Sequence, residues 1–155
     1  MTAVVTDRVT GRSLIPQDLF ERLVSRIVTD DGKTYDLAAR IMDQALAFLG
    51  TCARYHRAHL TPSELVDVGW HTFILYTREY KDFCQRIGGR FLHHVRADGE
   101  PAASGETARA KLAQTVEAIM DAGFAVDQDL WPVNANCSQC KNGCYDDPPP
   151  PPGRN

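Results

Sequence analysis

Three thiols fall within eight residues in Cys137-Ser138-Gln139-Cys140-Lys141-Asn142-Gly143-Cys144, just ahead of a proline run. A Cys-x-x-Cys turn presents two sulfurs to one ion, and Cys144 adds a third from the same loop. Zinc takes four ligands, with Zn–S near ~2.3 Å, so three thiolates leave one position to fill. Candidates for it are His93, His94, His71, Cys84 and Asp146. A water or a substrate there would instead make a catalytic or metal-transfer site. An iron–sulfur cluster, a redox pair and a metal-free tail are the competing readings. The predicted ion is Zn2+, with iron as the alternative, held by Cys137, Cys140, Cys144 and His93, or His71 in its place.

A second dense patch runs from Asp67 to His94 and holds three of the five histidines. Asp67 and His71 are spaced i, i+4, so on a helix they share a face. A carboxylate placed there orients an imidazole, as behind a metal ligand or in an acid/base pair beside an ion. A satisfied structural histidine has the same pattern. His93 and His94 are consecutive, and in an extended segment they point to opposite sides, so one of them faces the site. Cys84 lies 13 residues after His71, which on an unbroken helix is about 220° around and about 20 Å along. A break near Thr77 would remove that obstacle; otherwise Cys84, like Cys52, reads as core packing. His56 and His59 read as solvated.

The elements that must position these groups are helical. Ser13 caps a predicted helix with Pro16 in its first turn, and Phe20, Leu23, Val24, Ile27 and Val28 form its apolar face. Thr34 caps a second, whose wide stripe from Ala38 through Ile41, Met42, Ala45, Phe48 and Leu49 to Cys52 places it at the centre. Thr61-Pro62-Ser63-Glu64 has capping-box spacing and opens a third. Thr77 is a candidate re-cap for a segment that ends at Gly88-Gly89. Phe91 to Val95 reads as extended, 97–105 as a loop, and Ala108 to Asp121 as a further helix.

The predicted fold is therefore all-α, a bundle of four to five helices. Residues 1–12 are expected to be unfixed, 13–133 to form the helical domain, 134–147 the Cys-rich loop and 148–155 a proline-rich tail. With 155 residues, 43% of them hydrophobic, one core is affordable. A net charge of −3 and scattered arginines give no basic face for nucleic acid. Neither a signal core near Met1 to Val9 nor a ~20-residue apolar run is present, so no membrane association and a cytoplasmic location are expected. The serine elbow, the phosphate-binding glycine loop and the His-Glu-x-x-His helix are all missing.

Val66-Asp67-Val68-Gly69-Trp70-His71, followed by Leu75, Tyr80, Cys84 and Gly89, resembles the glycine-rich domain-containing protein-like family. Its bacterial-style form is similar to Trp-His-x-Phe-Ile-Leu-x-Thr-x-x-Tyr-x-x-Phe-Cys, continuing to Phe-x-His-His, which Phe91, His93 and His94 fit. The likeness spans residues 35–95 and implies a helical domain without an assigned activity. Two departures stand out. Phe73 replaces the second histidine of the plant His-x-His, and the glycine-rich tail is replaced by thiols and prolines. The expected role is structural or interactive, with the proline run as a docking segment for a protein partner. A metal-dependent enzyme or transfer protein with an open position near His71, and a metal-free adapter, are the alternatives.

Overall fold

The widest apolar stripe in the sequence becomes the axis of the fold. In the computed structural model, which describes residues 7–55, 59–95 and 105–132, helix α2 (Tyr35–Arg54) has apolar side chains buried nearly all round. A helix apolar on every side needs neighbours on every side. These are α1 (Gln17–Asp31), α3 (Glu64–Ile74), α4 (Thr77–Gly88) and α5 (Gly105–Asp121). The expected all-α architecture is thus present, with five α-helices among the described residues. No helix among them is long and apolar enough to cross a membrane.

Thr34 caps α2 as expected, its hydroxyl accepting from the Leu37 N–H at 3.2 Å. Two other starts move. Ile15 precedes Pro16 and is extended, because the proline ring disfavours helical backbone in the residue before it. The helix expected from Ser13 therefore begins at Gln17, and Gly11–Leu14 forms a short 3-10 turn. The Thr61 capping box is not used either. Its N–H donates to Thr115 Oγ1 on α5 at 3.0 Å, and Ser63 caps α3 instead, accepting from the Val66 N–H. A tertiary tie here outweighs a local capping preference.

The N-terminal segment also departs from expectation, since residues 8–12 are tied down. The Val9 N–H donates to the Gly123 carbonyl at 3.0 Å, and Val9 O accepts from Ala125 N–H at 2.9 Å. The Arg12 N–H donates to Asp43 Oδ1 on α2 at 2.9 Å. Residues 125–131 are clamped to α2 in turn. Buried Gln44 donates to the Ala125 carbonyl and accepts from both the Asp127 N–H and the Trp131 indole N–H. Arg40 grips the Asp127 carboxylate with two donors and reaches Asp129 as well. That guanidinium holds the Asp127 carboxyl below the usual carboxylate range.

Helices α3 and α2 meet at Gly69, where a Cβ would lie 2.6 Å from the Ala45 methyl. The absent side chain lets the two backbones approach, and it sets the depth at which the outer face of α3 stands. Gly69→Ala should cost about 1–3 kcal/mol by overpacking, read as a lower urea midpoint at unchanged m-value.

Candidate metal centre

One turn of α3 carries Asp67, Trp70 and His71. With Gly69 turned inward, Asp67 and His71 stand on the outer side, their side chains 31% and 57% exposed. Trp70 packs on Phe48 of α2, ring centroids 5.5 Å apart. The chain turns at Leu75-Tyr76, so α3 and α4 are two helices, with Tyr76 at the α4 N-cap and no side-chain cap. Helix α4 buries Tyr80, Phe83 and Cys84 and ends at Gly89, whose φ of 69° is in the left-handed region glycine favours.

The segment after Gly89 completes the cluster. The Tyr80 hydroxyl donates to the Leu92 carbonyl and accepts from the Trp70 indole N–H at 2.9 Å. Leu92 is thereby anchored in the core. In extended chain, alternate residues share a side, so His94 follows Leu92 inward while His93 points out and lies against Phe91. The His94 ring sits 4.3 Å from that of Trp70 and is 16% exposed.

Asp67, His71 and His94 converge. His94 Nε2 is 2.7 Å from Asp67 Oδ1 and 2.9 Å from His71 Nε2, and His71 Nε2 is 3.1 Å from Asp67 Oδ2. Each ring nitrogen has one in-plane lobe, carrying either a proton or a lone pair. If both nitrogens donate to Asp67, two N–H groups confront each other. If one donates to the other, the acceptor has no proton left for the carboxylate. Proton bookkeeping therefore leaves at least one of the three contacts unsatisfied. A cation among the three satisfies all of them, and two imidazoles with a carboxylate are a known donor set for zinc and ferrous ions.

Asp67 and His71 also border an open cleft of about 560 Å³ between α1 and α3. Arg26, Asp30, Asp31 and Glu64 contribute charge to its walls, Leu75 and Tyr76 apolar surface.

The structure places His71 in the cluster with Asp67, and brings in His94 where the sequence reading favoured His93. Cys137, Cys140, Cys144, Asp146 and the proline run lie outside the described residues. Cys84 is core, and burial pushes the thiol of Cys52 up to about 12, both in keeping with packing roles.

Because Tyr80 links Trp70 to the His94 segment, Tyr80→Phe should leave the indole N–H and the Leu92 carbonyl short of a partner. The expected result is a loss of about 1–3 kcal/mol and faster amide exchange in residues 91–95 than in α2.

No curated protein and no solved structure matches the chain. A family model does, over residues 11–114, and its description is UCP032817-like. This corrects the resemblance drawn from the Trp-His motif, since the matching family is not the glycine-rich domain-containing one. The matched stretch takes in α1 to α4 and all three converging side chains, and on it the chain belongs to the UCP032817-like family.

Proposed function

We propose that this protein binds one divalent cation, Zn2+ or Fe2+, through Asp67, His71 and His94, and presents it to ligands from the adjoining cleft. The mutual approach of three donor side chains, with nitrogen and carboxylate atoms 2.7–3.1 Å apart, is the observation that carries this reading. Exposure of His71 favours an accessible centre over a closed structural one. Such an ion supplies Lewis acidity, polarising a bound water or carbonyl. The purely structural or interactive role weighed from the sequence is the less favoured reading.

The thiolate set Cys137, Cys140 and Cys144 is a separate candidate, supported by its spacing alone. Metal analysis of protein purified without added metal distinguishes the two. One equivalent should be missing from Asp67→Asn yet retained in Cys140→Ser. A wild-type content near zero, with no uptake of Zn2+ or Co2+ at micromolar concentration, would discard the proposal.

A further inference from the structure

The spacing of the three donors also bears on how many ligands the ion takes. Two ligands at 2.0–2.1 Å from a metal stand about 2.9 Å apart at a right angle, and about 3.4 Å apart at the tetrahedral angle. His94 Nε2 lies 2.7 Å from Asp67 Oδ1 and 2.9 Å from His71 Nε2, and His71 Nε2 lies 3.1 Å from the other carboxylate oxygen, Oδ2. Each is nearer the right-angle than the tetrahedral separation, so the two imidazoles and either oxygen of the one carboxylate suit adjacent positions of an octahedron, with its other side open. Resting on the metal reading above, the geometry points to a six-coordinate ion whose remaining cis positions accept a small bidentate chelator.

The cleft narrows the charge of that chelator. Asp30, Asp31 and Glu64 line the cleft together with Asp67 and His71, while Arg26 is the one arginine or lysine among the described lining residues and lies 3.6 Å from Asp30. A polyanion would meet repelling walls. A ligand that is neutral or singly charged, with two adjacent oxygen donors, fits both the open face and the field. Hydroxamates and α-hydroxy or α-oxo monocarboxylates belong to this class.

Cobalt(II)-loaded full-length protein carrying Cys137→Ser, Cys140→Ser and Cys144→Ser provides the test, because the ion's visible bands are weak when six-coordinate and intense when four-coordinate, and thiolates no longer compete for it. Acetohydroxamate serves as the bidentate probe, with acetamide as its one-donor control and inorganic phosphate as the polyanion. The expected result is a weak spectrum that acetohydroxamate shifts saturably with cobalt retained. At the same concentrations, acetamide and phosphate should leave it unmoved. An intense four-coordinate spectrum, cobalt stripped by acetohydroxamate, no shift at all, or a tighter response to phosphate would overturn the inference while leaving metal binding intact. Failure of the protein to take up cobalt at all would remove the underlying reading as well.

Discussion

Replacing His94 with alanine should weaken divalent-metal affinity at least about 100-fold while leaving the fold standing. Loss even of a group that supports a metal ligand typically costs 10–100-fold, and His94 would supply one of the three donor side chains that converge among the described residues. The ring lies at the edge of the core, against Trp70, so metal-free stability should fall by no more than about 1 kcal/mol. His93→Ala is the matched control. It removes a neighbouring imidazole that points away from the cluster, and its affinity should equal that of the wild type. Isothermal titration with Zn2+ gives the affinities, and melting with and without metal gives an independent readout. At a free metal concentration of 100 Kd the ion should stabilise the wild type by about 2.7 kcal/mol, and this increment should vanish in His94→Ala. If His93→Ala loses the metal and His94→Ala keeps it, the assignment of the third donor is wrong.

The largest loss of stability should come from Gln44→Leu, outside the Asp67–His71–His94 cluster. Gln44 is the shared partner of three groups in residues 125–131: the Ala125 carbonyl, the Asp127 N–H and the Trp131 indole N–H. Leucine fills similar space but offers none of these partners. A buried group left without a hydrogen bond costs about 1–3 kcal/mol, and since only the Trp131 indole contact is fully buried, the total expected is in the lower part of that summed range, about 3–5 kcal/mol. Against the ~5–15 kcal/mol of an ordinary domain, that is a large fraction. Urea unfolding followed by tryptophan fluorescence measures it, and Gln17→Leu at an exposed position should shift the midpoint little. A loss below about 1 kcal/mol would mean that the 125–131 segment is held by Trp131 and Leu130 burial rather than by this clamp.

The two predictions separate what can be read from residue order from what cannot. The centrality of α2 was legible, because an apolar stripe too wide for one interface can belong only to a helix enclosed by others. Asp67 with His71 was legible too, since four residues bring side chains onto one helical face whatever surrounds them. Gln44 was not, because a glutamine within an apolar stripe gives no hint of partners more than 80 positions away. The capping box at Thr61 was a real local preference, overridden by the hydrogen bond its N–H donates to Thr115, which sequence spacing cannot anticipate.

The third donor shows the division most sharply. Residue order alone required that His93 and His94 face opposite ways, and placed an aromatic-rich helix just before them. It could not select between them, because Phe91 and Leu92 are both apolar and would anchor the strand with opposite parity. The tertiary structure makes that selection through the Tyr80 hydroxyl, which holds the Leu92 carbonyl and so turns Leu92 and His94 inward together. Alternation is a property of the chain, whereas its phase belongs to whichever residue the rest of the protein buries.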